Sequence, residues 1–107
     1  MISTDDAEGW LHYLIDSAPK AAAARANRLV MEDFGKVVKS EIMCQYPELP
    51  VSAQEREAYR HPKYKAHLAA LKVAIAEDEE YRFRRDAADA GLRAYQTQEA
   101  TLRAQRI

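Results

Sequence analysis

Residues 62–105 read PKYKAHLAALKVAIAEDEEYRFRRDAADAGLRAYQTQEATLRAQ. After Pro62 this stretch contains no further proline and a single glycine, Gly91. Its clearest apolar period is seven residues, which is typical of a helix that packs along one side. We call this set the heptad stripe, and its members are Ala74, Tyr81, Ala88, Tyr95 and Leu102, with Leu71 and Leu92 on its flank. The stretch predicts one uninterrupted helix of about 44 residues, roughly 65 Å long.

A helix of that length is too long for a compact single-chain bundle of 107 residues. We therefore expect an all-α, elongated antiparallel helical hairpin that is completed by self-association, as a dimer or higher oligomer. The residues expected to mediate this self-association are Ala74, Tyr81, Ala88, Leu92, Tyr95 and Leu102. Asp78 and Arg85 interrupt the stripe, so the pattern is not that of a regular coiled coil.

Two helices are predicted before the chain turns. Ser3 or Thr4 can cap a helix over residues 4–17, and the run from Asp16 to Pro19 indicates a break and a restart. Residues 18–46 then carry apolar side chains at steps of three and four, which predicts an amphipathic helix. The members of this amphipathic stripe are Ala22, Ala26, Leu29, Val30, Phe34, Val37, Val38 and Ile42.

A short helix over residues 52–60 is predicted at the corner between the two long helices. Ser52 and Glu55 have the spacing of a capping box, in which the two side chains cap each other's backbone amides. Pro62 disfavours helix at His61 and suits the first turn of the next helix. Residues 1–107 are thus expected to form one helical domain.

Composition limits the possible chemistry. The net charge is −1 and Cys44 is the only cysteine, so neither a polycation nor an internal disulfide is present. No H-E-x-x-H motif, cysteine pair or glycine-rich phosphate loop occurs, so we predict no metal site, no cofactor and no catalytic residue. No segment has the roughly 18 apolar residues of a membrane span, and the N-terminus does not resemble a signal peptide. We expect a soluble, cytoplasmic protein that is not an enzyme.

The corner carries the first candidate binding site. Basic side chains track phosphates, and aromatic rings interleaved with them stack on unpaired bases. This combination predicts contact with single-stranded nucleic acid through the basic corner, which comprises Arg56, Arg60, Lys63, Tyr64 and Lys65. The alternative is that Tyr59 and Tyr64 are core residues and the lysines are a solvated face.

A second set of candidate nucleic-acid contacts follows in the long helix, at Arg82, Arg84 and Arg85. Arginines on one helix can clamp phosphate groups. The acidic run Glu77–Glu80 lies one turn earlier, however, and pairs such as Asp78–Arg82 and Glu80–Arg84 would be ordinary salt bridges on the helix surface. Both interpretations stay open at the level of the sequence.

One enzymatic alternative exists. Arg56 and His61 have the R-x4-H spacing, which resembles the motif of metal-independent ribonucleases with the all-helical HEPN fold. In such a site the two side chains would polarise a phosphate and assist attack by the 2′-hydroxyl. Glu57 replaces the polar residue usual after the arginine, and the proline after His61 disturbs the helix geometry.

Four segments together resemble a family of small helical proteins from tailed phages and prophages, often encoded beside recombination and single-strand-binding genes. They are KAAAARANRLVMEDFGKVVKSEIM, SAQEREAY, HPKYKAHLAAL and RRDAADAGLRAYQTQEATLRAQ, within residues 7–106. Where relatives tend to have tryptophan-arginine near the end of the long helix, this chain has Leu92-Arg93.

The resemblance implies a non-enzymatic accessory of phage DNA recombination in the cytoplasm of the bacterial host. Such a protein would bind single-stranded DNA, a recombinase or a single-strand-binding protein. A protein of a different class, a helical adaptor or assembly factor without nucleic-acid contact, would instead use the Ala/Tyr/Leu stripe and the helix of Trp10 as its partner surface.

Overall fold

The computed structural model describes residues 1–106 and is all-α, with no strand in that range. The helices are α1 (Thr4–Met43), α2 (Val51–Arg60) and α3 (Pro62–Gln105). The predicted all-α helical hairpin with a long C-terminal helix is confirmed, and α3 has the predicted bounds. Because Pro62 occupies the first turn, where its missing amide hydrogen leaves no bond unmade, α3 tolerates it without distortion.

The predicted break between residues 17 and 18 is wrong, because α1 continues through Pro19. A proline inside a helix removes one backbone hydrogen bond and crowds the preceding turn. Arg85 of α3 supports that turn: one of its guanidinium nitrogens donates to the carbonyl of Leu14 and to the hydroxyl of Ser17, both at 2.7 Å. Ser17 is therefore a buried interior residue, 5% exposed, and not a helix cap.

The start of α1 is capped as the sequence predicts. The amide of Asp6 donates to the hydroxyl of Ser3 at 3.0 Å, and the amide of Ser3 donates to the carboxylate of Asp6 at 3.1 Å. The hydrogen bonds from Ser3, backbone first and side chain second, hold the pKa of Asp6 below its ordinary value of 3.8. Ser3 is the cap, and Thr4 is the first helical residue.

The capping box predicted for the corner helix is absent. Helix α1 ends at Met43, three residues earlier than predicted, and α2 begins at Val51 with Pro50 at its cap position and no side-chain cap. Gln54 instead closes the connector, because its side-chain amide donates to the carbonyls of Tyr46 and Leu49 at 2.8 and 3.1 Å. These bonds hold the connector between α1 and α2 in a closed turn, in which the Tyr46 carbonyl also accepts from the amide of Leu49.

Contacts divide the chain into two compact units. The terminal unit comprises Met1–Ala23 and the chain from Glu79 onward, and the corner unit comprises Ala24–Asp78. Each unit contains a segment of α1 packed antiparallel against a segment of α3, and the corner unit also contains α2.

The interior of both units is built largely from small side chains. The buried apolar residues in the described chain are Ala7, Ala24, Ile42, Ala58, Ala74 and Ala88. Small residues let two helices approach closely, and the glycines show how closely. A Cβ on Gly91 would lie 2.9 Å from the ring of Trp10, and one on Gly35 would lie 3.1 Å from the His67 ring. Helix packing here depends on shape more than on large apolar side chains.

The amphipathic stripe predicted for α1 lies mostly on the outside. Leu29, Val30, Phe34 and Val37 are 49%, 66%, 50% and 44% exposed, and Ala22 and Ala26 are exposed as well. Within that stripe Ile42 is buried and Val38 is half-buried. The side of α1 that faces inward instead carries Ala24, Arg28 and Gly35, which a hydrophobicity criterion ranks low. Apolar content therefore identified the wrong face of this helix.

Candidate nucleic-acid interface

The basic corner lies where α2 ends and α3 begins. Arg56 and Arg60 are exposed on α2, and Lys63 and Lys65 are exposed in the first turn of α3. Arg60 has one weak partner, the carboxylate of Glu57 at 3.5 Å. The side chains of the other three form no ion pair within residues 1–106. Cations without an internal carboxylate partner remain available to an external anion.

His61 sets the geometry of this corner by serving both helices. It is the C-terminal cap residue of α2, where its amide donates to the carbonyl of Ala58. Its ring nitrogen Nδ1 accepts a hydrogen bond from the amide of Lys63 at 3.0 Å, which caps the start of α3. Arg56 of the R-x4-H motif thus lies within α2, whereas His61 lies at the junction of α2 and α3. The Nδ1 of His61 is already engaged by the amide of Lys63.

The exposed aromatic residue of the corner is Tyr59, which is 50% exposed, whereas Tyr64 is half-buried. The two rings meet edge to face, with centroids 5.3 Å apart and planes at 79°. Tyr64 in turn lies 6.5 Å from the ring of His67. Tyr64, the tyrosine included in the predicted site, supports the corner from within. Tyr59 is the ring that could meet a base.

Lys39 of α1 also belongs to this corner, although it lies 20 residues before Tyr59 in the chain. Its ammonium donates to the hydroxyl of Tyr59 at 3.0 Å, lies 4.8 Å from the centroid of that ring and is 3.9 Å from the carboxylate of Glu55. The hydrogen bond to Tyr59 raises the pKa of Lys39 above its ordinary value of 10.5, and the Glu55 carboxylate adds to that effect. The lysine therefore fixes Tyr59 and adds positive charge beside it.

The second arginine set has a different environment. Arg84 pairs with Glu80 at 2.8 Å, as the salt-bridge interpretation predicted, and Arg82 pairs with Glu79 at 3.5 Å. Arg85 points into the terminal unit, with its guanidinium bonded to α1. Since these cations already have internal partners, they are weaker candidates for phosphate contact than the basic corner.

Asp78 is not the partner of Arg82. Its carboxylate accepts a hydrogen bond from the guanidinium of Arg28 at 3.1 Å, and the Asp78 side chain is only 12% exposed. This cross-helix ion pair explains why an acid interrupts the heptad stripe. A charged group at an interior position fixes which residues of the two helices face each other.

The residues predicted to mediate self-association lie inside the chain. Ala74 and Ala88 are 3% and 4% exposed, and the other four are half-buried. The hydroxyl of Tyr95 is hydrogen-bonded to that of Thr4 in α1 at 3.1 Å. The heptad period therefore reflects packing against α1 within one chain. Ala74 and Ala88 are unavailable to a second copy in this fold.

Neither a metal site nor a membrane span appears in residues 1–106. No group of three His, Cys, Asp or Glu side chains in that range could hold a metal ion, and no helix in it is long and apolar enough to cross a bilayer. Comparisons with protein-family models, with curated proteins and with solved structures found no significant match.

Proposed function

We propose that this protein is a non-enzymatic accessory of phage DNA recombination that binds single-stranded DNA through the basic corner. The observation that carries the proposal is the set of Arg56, Lys63 and Lys65, exposed cations that form no ion pair with any of residues 1–106, near the half-exposed ring of Tyr59. The resemblance to phage proteins supplies the biological process, the bacterial cytoplasm as location, and a recombinase or single-strand-binding protein as a further partner.

The chemistry of the corner fits an unpaired strand. Lysine and arginine neutralise backbone phosphates without reading sequence, and a tyrosine face offers a stacking surface to any base. Tyr59 is held by Tyr64 and Lys39, so its ring needs little ordering when a base arrives. A duplex would offer phosphates but no free base for the ring. The corner is therefore expected to prefer single strands.

Fluorescence anisotropy with a labelled oligothymidine at several salt concentrations tests the proposal. Each neutralised phosphate contributes about −0.7 to the slope of log K against log salt for single strands, so four contacts predict a slope of about −3. The variant Lys63→Glu/Lys65→Glu should weaken binding at low salt by at least about tenfold and flatten the slope to about −1.5.

The matched control is Lys20→Glu/Arg25→Glu, which changes the net charge equally at two exposed cations outside the corner. It should retain nearly the affinity of the unaltered protein. If the control loses as much affinity as the corner variant, binding is a response to overall charge and the proposed site is wrong. Absence of binding by the unaltered protein at low salt would remove the DNA proposal altogether.

A helical protein–protein adaptor is the second candidate, and the exposed apolar side chains of α1 favour it. Contiguous apolar surface on a soluble protein commonly marks a protein contact. Pull-down of purified recombinase or single-strand-binding protein by the immobilised chain separates the two candidates. Binding of such a protein, with no affinity for oligothymidine at any salt concentration, would favour the adaptor.

A further inference from the structure

An apolar strip on the outside of α1 in the corner unit is largely uncovered within residues 1–106. The outer strip comprises Leu29, Val30, Phe34 and Val37, and each of these side chains is between 44% and 66% exposed. Val30, Phe34 and Val37 follow one another at steps of four and three residues, and Leu29 adjoins Val30, so the four lie on one side of the helix. Together they expose on the order of 400 Å² of apolar surface, a size typical of protein contact sites.

The interior of the chain does not compensate for this exposure. Five of the six buried apolar residues in the described chain are alanines. Ile42 is the one large side chain there that is fully buried. Soluble monomers usually place leucine, valine and phenylalanine inside. Here the outer strip holds more large apolar side chains than the fully buried interior does. A fold of this kind is expected to gain much of its stability by covering the strip.

The accessible surface leads to the same conclusion. The chain has 7777 Å² of accessible surface for a mass of 12.2 kDa. A monomer of that mass typically exposes about 6,100 Å². The excess of about 1,700 Å² exceeds the roughly 800 Å² that each partner contributes to a standard stable interface. The chain therefore has enough uncovered surface for at least one full interface.

The strip suits a second copy of the same chain. The charged residues within residues 29–37 are Glu32, Asp33 and Lys36. Asp33 pairs with Lys36 at 3.9 Å and Glu32 pairs with the adjoining Arg28 at 3.0 Å, so the strip has no unpaired charge of one sign to select a charged partner or repel an identical one. A two-fold axis would place the same apolar side chains against themselves, which is the commonest way for a soluble protein to cover such a face. We propose that two copies associate through the outer strip of α1, independently of DNA binding.

The proposal replaces the surface that the sequence pattern suggested for self-association. The heptad stripe is used between α1 and α3 of one chain, whereas the outer strip is largely exposed and touches α3 through the contact of Phe34 with the His67 ring. The heptad stripe lies on α3 and the outer strip on α1, so substitutions distinguish them. A glutamate at Val30 should separate the copies without disturbing the internal packing, since that side chain is largely solvent-exposed.

Sedimentation equilibrium on the full chain tests this assignment. The unaltered protein should sediment with twice the 12.2 kDa of one chain. Phe34→Glu should raise the dimer dissociation constant by at least about thirtyfold, as expected for a residue near the centre of an interface. The matched control is Phe83→Glu, at a phenylalanine 62% exposed in the terminal unit, and it should remain dimeric.

Circular dichroism shows whether each variant keeps its helices. Because Phe34 lies 6.2 Å from the ring of His67, Val30→Glu provides a second test at a side chain that is 66% exposed. The proposal is overturned if the unaltered chain is monomeric at every concentration, or if Val30→Glu and every folded strip variant stay dimeric. It is equally overturned if Phe83→Glu dissociates the dimer as strongly as the strip variants do.

Discussion

The terminal unit and the corner unit hold the same two helices together in different ways. In the terminal unit, polar side chains of α3 bond to backbone groups of α1 and of the residues before it. Gln98 makes two hydrogen bonds with the backbone of Ile2, at 2.7 and 3.0 Å, and Arg85 bonds to the carbonyl of Leu14. In the corner unit, the contacts described between α1 and α3 join side chain to side chain, as between Arg28 and Asp78 or Phe34 and His67.

This difference shows how one helix pair can serve two purposes. In the terminal unit, hydrogen bonds to backbone groups join α1 and the residues before it to α3. The corner unit keeps its cations and its apolar strip on the outside, where they are available for binding. We therefore expect changes in the terminal unit to alter stability most, and changes in the corner unit to alter binding most.

The largest effect on stability is expected from Arg85→Met. This change removes two charge-assisted hydrogen bonds, and it leaves the Ser17 hydroxyl buried beside the turn that Pro19 already weakens. The free energy of unfolding should fall by about 2–3 kcal/mol. Urea denaturation followed by the fluorescence of Trp10, the only tryptophan, measures it.

Arg84→Met is the matched control for that change, because it removes the neighbouring arginine from an exposed pair with Glu80. The free energy of unfolding of Arg84→Met should fall by less than about 0.5 kcal/mol. Equal effects of the two substitutions would show that Arg85 does not support α1 and would erase the contrast between the units.

Replacing each of the three glycines by alanine is expected to give the next largest effect on the free energy of unfolding. Gly91→Ala places a methyl group 2.9 Å from the indole of Trp10, which is part of a rigid ring, so unfolding free energy should fall by about 1–2 kcal/mol despite the better helix propensity of alanine. Gly9→Ala meets nothing within 4 Å and should raise stability by about 0.5–1 kcal/mol.

Gly35, which lies in the corner unit, is expected to show the intermediate change in stability. A methyl group at Gly35 would lie 3.1 Å from the His67 ring, a contact that a small shift relieves, so Gly35→Ala should fall between the other two. Thermal unfolding of the three variants checks the order. A stabilising Gly91→Ala would mean that Trp10 does not lie against α3 as described.

The smallest expected effect is the pH dependence of the cap that Ser3 and Asp6 form at the start of α1. Because the folded-state pKa of Asp6 is lowered, the stabilisation from its cap is complete above about pH 3.8 and is lost as pH falls through the lower folded value. Asp6→Ala should therefore speed amide exchange in the first turn of α1 near neutral pH and make little difference at pH 2.

Asp5→Ala serves as its control, since that residue keeps a similar place near the helix dipole but makes no bond to Ser3. It should have the weaker effect at neutral pH. If Asp6→Ala speeds amide exchange equally at pH 2 and at neutral pH, the Asp6 carboxylate is not the source of the protection.

The sequence was informative where local chemistry decides the structure. Pro62 defined the start of α3 and the turn at His61, and the Ser3 cap follows from residue type. Periodicity was informative about α3 but misleading about α1, because four large apolar side chains of its predicted stripe lie on the outside. Apolarity alone cannot tell a core face from a binding face.

The remaining errors arise from contacts between distant residues. Pro19 lies within a continuous helix, and Arg85, whose donors support that turn, lies far along the chain on α3. Lys39 reaches Tyr59 across the corner in the same way. The basic corner was found because its cations are close in sequence, whereas the exposure of Tyr59 and the burial of Arg85 depend on how the helices pack.

We propose that the heptad stripe joins α1 and α3 of a single chain and that the outer strip meets a second copy. Isotope-filtered NOE spectroscopy on an equal mixture of labelled and unlabelled chains tests this arrangement directly. We expect contacts between the Trp10 ring and Gly91 within one chain only, and contacts between copies at Val30, Phe34 and Val37. Contacts between Trp10 of one copy and Gly91 of another would contradict it.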